Sequence, residues 1–210
     1  RPAQSIEARH TVGMLDALSP DPDANPAALP VRLPDVVRRY GHRSFKIKLG
    51  GDPAADIDRL DAVLAVLDAI APGHRFSLDG NEQYADLDTL AALCTRLRTL
   101  PRLAARPDAL LYIEQPLARD AAIDAPLSQL DAPAPLLLDE GDGTLDAFPR
   151  AAAQGWQGVS SKGCKGIYKA LIHRARCERS GGTLFMSAED LTCQAGLAVQ
   201  QDLAIAALLG

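Results

Sequence analysis

At 210 residues, with 47% of them hydrophobic, 23% charged and a formal net charge of -5, the chain carries enough apolar material for one globular domain or part of a larger barrel. The negative balance and the lack of any block of like charges argue against nucleic acid or an anionic membrane as partner, since both select clustered Lys and Arg. No apolar run reaches the roughly 18 residues of a membrane span and no charged-then-apolar leader is visible, so a small ligand is the expected partner. Cys94, Cys164, Cys177 and Cys193 show no C-x-x-C spacing, which argues against zinc and fits a reducing compartment, the cytoplasm.

In chain order, residues 9–14 are a candidate first strand. Residues 19–34 hold five of the fifteen prolines with Asp and Asn between them, and are expected to form an irregular, lid-like connection without a helix. A short apolar run, Phe45-Lys46-Ile47-Lys48, follows as a strand. The spacing of Ile57, Leu60, Val63, Leu64 and Leu67 then predicts a helix over residues 56–70, bounded by Pro53 and by Pro72-Gly73. Further strands are expected at residues 76–79, 111–114, 136–139, 158–162 and 184–186, and weaker helical stretches at residues 87–100, 146–154, 167–179 and 193–209. Residues 100–108, with Pro101 and Pro107, read as a loop.

Strand and helix therefore alternate, and strands such as Leu136-Leu137-Leu138 are apolar on both faces. That pattern predicts a parallel sheet covered by outer helices, an α/β fold. A doubly wound sheet would show a glycine-rich phosphate turn after its first strand, and none is present. A (β/α)8 barrel of the TIM type, modified and incomplete, explains more, because it collects the C-terminal ends of many strands around one pocket. The chain opens at Arg1-Pro2 without a methionine and stops at Gly210 straight after an apolar helix, so residues 1–210 are expected to be a fragment.

Five of the strands end in a residue that can do chemistry, in the order base, acid, acid, acid, base: Lys48, Asp79, Glu114, Asp139 and Lys162. The acids stand at steps of 35 and 25 residues, about one βα unit each, so three successive strands would deliver them to one end of the barrel. Three hard oxygen donors suit Mg²⁺ better than zinc. Helix N-capping is the competing reading of a strand-end Asp. Lys46 and Lys48 alternate on one face of a strand, where two neighbouring ammonium groups disfavour each other's charge and would leave one of them able to act as a base. A pair of exposed lysines guarding a sheet edge is the plainer alternative.

The pieces Lys46-Ile47-Lys48, Asp79-Gly80-Asn81, Glu114-Gln115-Pro116, Asp139-Glu140 and Lys162, taken in order over residues 45–190, resemble the barrel of the enolase superfamily, in the branch of muconate lactonizing enzymes, mandelate racemase and dipeptide epimerases. The resemblance implies removal of a proton α to a carboxylate, with the enediolate stabilised by Mg²⁺. By motif, it implies Asp79, Glu114 and Asp139 as metal ligands, Lys48 and Lys162 as acid/base groups on opposite faces of the substrate, and Lys46 as the neighbour that lowers the pKa of Lys48. It also implies an N-terminal capping domain and a last strand, neither of which is seen in these residues.

The sequence departs from that pattern in places. Lys162 is followed by Gly163-Cys164-Lys165-Gly166, so Lys165 is a further candidate, as substrate contact or as the true second base. Glu140 is a second candidate for the metal or its surroundings, and Asn81, Glu189 and Asp190 are candidates for the pocket. Asp190 has helix capping as an alternative. None of His10, His42, His74 and His173 is assigned a role.

The expected function is therefore Mg-dependent abstraction of an α-proton from a small carboxylate substrate, of the racemase, epimerase or cycloisomerase type, by a protein that a homo-oligomer would also suit. Dehydration of a sugar acid on the same site is the alternative. Readings of another class are a metal-free barrel binding a phosphosugar through residues 163–166, and a non-catalytic barrel that binds a metal or ligand.

Overall fold

Seven strands alternate with eight helices among the residues that the computed structural model describes, which are 2–25, 27–189 and 196–210. The strands pair in parallel, and the chain is an incomplete TIM-type barrel of the α/β class. By contacts it divides into two units, one of Ala8–Ala118 with Leu130–Ala134, the other of Arg1–Glu7, Arg119–Gln129 and Pro135–Gly210.

The first unit contains β1 (Arg9–Val12), α1 (Leu33–Tyr40), β2 (Ser44–Lys48), α2 (Pro53–Ile70), β3 (Arg75–Asp79), α3 (Leu87–Thr99), α4 (Pro101–Ala104) and β4 (Leu110–Glu114). Its strands lie side by side in sequence order. The β2–β3 register sets Lys48 beside Asp79, and the β3–β4 register sets Asp79 beside Glu114. Because side chains alternate along a strand, Phe45 and Ile47 are both buried on the opposite side from Lys46 and Lys48. Helix α2 supplies Leu60, Val63, Leu64 and Leu67 to the core, and α3 supplies Leu90, Leu93 and Leu97. Full burial of each such leucine is worth about 1.5–3 kcal/mol before the chain entropy it opposes.

Three helix starts in this unit differ from the sequence expectation, and a proline stands at each. Helix α1 starts at Leu33, inside the stretch expected to be irregular, with Pro34 in its first turn; Gly41 closes it at φ 69°, its N–H donating to the Val37 carbonyl. Helix α2 starts at Pro53 rather than residue 56, because the Asp52 side chain accepts from the N–H groups of Ala54 and Ala55. The expected loop at 100–108 holds α4 and a 3-10 turn, Pro107–Ala109. A proline in the first helical turn has a preset φ and gives up an N–H that would have no intrahelical partner, so it starts a helix as readily as it ends one.

The second unit contains α5 (Arg119–Ala122), β5 (Leu136–Leu138), α6 (Ala147–Gln154), β6 (Gly158–Ser161), α7 (Ile167–Arg179), β7 (Phe185–Ala188) and α8 (Leu197–Leu209). Strand β7 runs two residues past the expected Met186, which brings Ser187 and Ala188 into register with Ser160 and Ser161 of β6. Trp156, fully buried, donates its indole N–H to the Ala122 carbonyl at 2.9 Å and so pins α5. Among the described residues no helix is long and apolar enough to cross a membrane.

Candidate active site

In the first unit, the strand ends bring together Lys46, Lys48, Asp79, Asn81 and Glu114. Asp79 and Glu114 are 1% and 0% exposed, so each carboxylate has lost nearly all of its water and depends on the cations beside it. Lys46 lies 2.8 Å from Glu114 Oε2 and 3.2 Å from Asp79 Oδ2. Lys48 donates to the same Asp79 Oδ2 at 2.6 Å and to Asn81 Oδ1 at 2.6 Å. The two lysines do share one face, and a carboxylate oxygen is common to both rather than bare repulsion between them.

The loops that carry these groups are held in uncommon backbone conformations. Asn81, Glu82 and Gln115 have φ of 40°, 65° and 33°, a region side chains other than glycine seldom enter. Gln115, fully buried, offsets part of that strain by donating its amide to the Leu117 carbonyl at 2.8 Å. Gly80 comes so close to the next loop that a Cβ there would stand 2.6 Å from Pro116 Cα. Outliers gathered at strand ends mark a site whose geometry is imposed by its surroundings.

In the second unit, Asp139 is the centre. It is 1% exposed and accepts from Lys162 Nζ and from the Ser160 hydroxyl at 2.5 Å each, with Lys165 Nζ at 3.0 Å. Burial alone would raise the Asp139 carboxyl, but the charge of Lys165 and the hydrogen bonds from Lys162 and Ser160 outweigh it and hold the group well below the usual carboxylate range. Lys165 also donates to the Asp139 carbonyl and to Ser160 Oγ, both at 2.7 Å. It is thus turned onto carboxylate and carbonyl oxygens, which leaves residues 163–166 poorly suited to cradling a phosphate. Lys162 lies 3.3 Å from Glu189, and Glu140 is half-buried beside Asp139. Asp190 lies outside the described residues.

Two further groups were not anticipated. Ser160, on β6, stands two residues before Lys162, so the two-residue period that paired Lys46 with Lys48 would have found it. Asp142, fully buried, takes Lys169 at 3.0 Å and His173 at 3.1 Å. Only its three-residue distance from Asp139 hinted at it. Asp79 and Glu114 in the first unit and Asp139 in the second are buried carboxylates with lysines beside them, hard oxygen donors of the kind that suits a dication such as Mg²⁺.

A profile of the family described as enolase C-terminal domain-like matches residues 30–209. The chain belongs to this family. Solved structures similar to it include proteins described as mandelate racemase/muconate lactonizing enzymes and a member of the enolase superfamily. A mandelate racemase/muconate lactonizing enzyme from Roseiflexus sp. is 22% identical with a TM-score of 0.70, over 98% of this chain and 53% of that one. N-succinyl Arg/Lys racemase from Bacillus cereus is 22% identical with a TM-score of 0.66, over 83% and 44%. Dipeptide epimerase from Enterococcus faecalis is 20% identical with a TM-score of 0.63, over 83% and 47%. Likeness at these identities establishes the enolase-type barrel fold. The chain spans about half the length of these structures. No curated protein matches it.

Proposed function

We propose that the protein carrying this chain is a Mg²⁺-dependent enzyme that removes a proton α to the carboxylate of a small substrate, of the racemase, epimerase or cycloisomerase type. The observation that carries the reading is that one lysine ends β2 and another directly follows β6, each with its ammonium on a buried carboxylate at a strand end: Lys48 on Asp79 and Lys162 on Asp139. Family membership supports the same reaction class.

In this reading Lys48 and Lys162 stand at opposite faces of the α-carbon, one taking the proton and the other returning it. A proton accepted at Lys48 Nζ needs a neutral amine, and Asn81 Oδ1 orients that nitrogen by accepting one of its hydrogens at 2.6 Å. At the other face, Ser160 and Lys165 hold Asp139 in place beneath Lys162. Asp79, Glu114 and Asp139 would hold the metal. Bound there, Mg²⁺ would stabilise the negative charge that builds on the substrate carboxylate as the proton leaves. Lys46, buried against Glu114, places a positive charge 2.8 Å from that carboxylate.

The test is proton NMR of the intact protein in D₂O with Mg²⁺, against amino acids, N-acylated amino acids, dipeptides and sugar acids. Loss of the α-proton signal, abolished by EDTA, is the expected result. Release of water from a sugar acid would instead select dehydration on the same site. Exchange that persists in a Lys48→Ala, Lys162→Ala double variant would remove the mechanism.

A further inference from the structure

Asp56 is a carboxylate, 3% exposed, that the proposed reaction does not use. It sits in the first turn of α2 and accepts three hydrogen bonds: from the N–H of Gly50 at 2.7 Å, the N–H of Gly51 at 2.9 Å and the hydroxyl of Tyr84 at 2.6 Å. Gly50 and Gly51 are the second and third residues after Lys48. Tyr84 is the third residue after Asn81, and its own N–H donates to the Pro116 carbonyl, two residues after Glu114. One carboxylate thus gathers the loop leaving β2 and the turn leaving β3, and through Tyr84 that turn is fastened to the loop leaving β4.

The remaining backbone bonds make the same connection. Leu49 N–H donates to the Asp79 carbonyl, Gly80 N–H to Glu114 and Glu82 N–H to Gln115. Gly51, at φ 91°, packs directly against the Gln83 carbonyl, in a space a side chain would overrun. Asn81 and Glu82, in the left-handed region, need such outside restraint to stay where they are. Burial, followed by the hydrogen bond to Asp56, pushes the Tyr84 hydroxyl far above its ordinary pKa, so it remains a donor throughout the working range. A hydrogen bond between a phenol and a carboxyl group in a dry site is among the stronger ones a protein makes.

We infer that Asp56 and Tyr84 are positioning residues, which hold the turn 80–83 against the loop 49–51 so that Asn81 stays aimed at the Lys48 ammonium. The inference deepens the proposed function and rests on it, since it assigns these residues to the Lys48 face and not to the Lys162 face.

Tyr84→Phe, which removes one oxygen, and Asp56→Asn, which keeps the shape, are the variants to compare with the intact wild-type protein. Exchange into D₂O is followed separately from each hand of the substrate found by the NMR screen, and each variant is crystallised. The expected result is a fall of ~10- to ~100-fold in kcat for one hand, with KM within about twofold and the other hand unchanged. The Lys48–Asn81 bond would be lengthened in the crystal. Equal losses from both hands together with a lower Tm, or no loss at all, would overturn the inference. Where the wild-type protein exchanges no compound, the proposed function fails instead, and the crystals decide: a Lys48–Asn81 bond unchanged in Tyr84→Phe overturns the positioning role, and a broken one upholds it.

Discussion

Lys48 and Asp79 are register partners on adjacent parallel strands, and the lysine ammonium lies 2.6 Å from the aspartate Oδ2. Backbone pairing and side-chain pairing thus coincide at this pair, so the position of a proposed base is tied to the hydrogen-bond ladder itself. Asp79 is also the oxygen that Lys46 approaches, at 3.2 Å.

Replacing the two proposed bases one at a time should separate their roles. Lys48→Met is expected to remove α-proton exchange from one hand of a chiral substrate, by ~10²- to ~10⁴-fold, and Lys162→Met from the other. Single-turnover exchange in D₂O reads this. Losses that ignore handedness would place both lysines in metal or substrate binding instead.

Lys46 is 7% exposed and pairs with Glu114, which is fully buried. Lys46→Met leaves that carboxylate short of its cation, and breaking a buried pair in this way costs about 3–5 kcal/mol. Urea unfolding of the metal-free variant should show a loss of this order, partly recovered in Mg²⁺ because a ligand that binds only the folded state stabilises it. No recovery in Mg²⁺ would count against these acids as the metal site.

The pH dependence of stability should carry a histidine signature. Burial, then the charge of Arg106, lowers the pKa of His74 from its ordinary 6.5, and burial, then His42, lowers that of His10. Both histidines are neutral in folded and unfolded chains well above 6.5 and contribute nothing there. Below it the unfolded chain takes up protons that the folded one refuses, so stability falls with pH until the lowered folded pKa is reached. His74→Gln should flatten Tm between about pH 7 and pH 5. An unchanged slope would assign the loss elsewhere.

Asp52 caps α2 just beyond the Lys48 loop through Ala54 and Ala55. Asp52→Ala is expected to cost about 1 kcal/mol, read as a lower urea midpoint with an unchanged m-value. Since Asp56 holds Gly50 and Gly51 independently, proton exchange should survive this change.

The sequence showed the strands and the ordered acids and lysines because a buried strand with a charged end leaves a short, recognisable string. Leu136-Leu137-Leu138-Asp139 is such a string, and the structure places β5 over its three leucines. Helix α1 was not legible, because its eight residues are too few for a clear period and Pro34 reads as a breaker before it reads as a start. Glu189 was visible only as one acid in a cluster, whereas its 3.3 Å approach to Lys162 depends on how far β7 extends. Asp56 and Tyr84 lie 28 residues apart in a helix and a loop, and no local pattern marks a bond that only the folded chain creates.

The lateral row of Lys48, Asp79 and Glu114 has a consequence for how this chain tolerates insertions and deletions. One residue added within β3 would exchange the roles of its two faces, sending Asp79 among the helices and offering Leu78 to the pocket. The same residue added among 19–31 would alter no pairing of the row, so length variation in this lineage is expected to accumulate in that connection and to be absent from the strands.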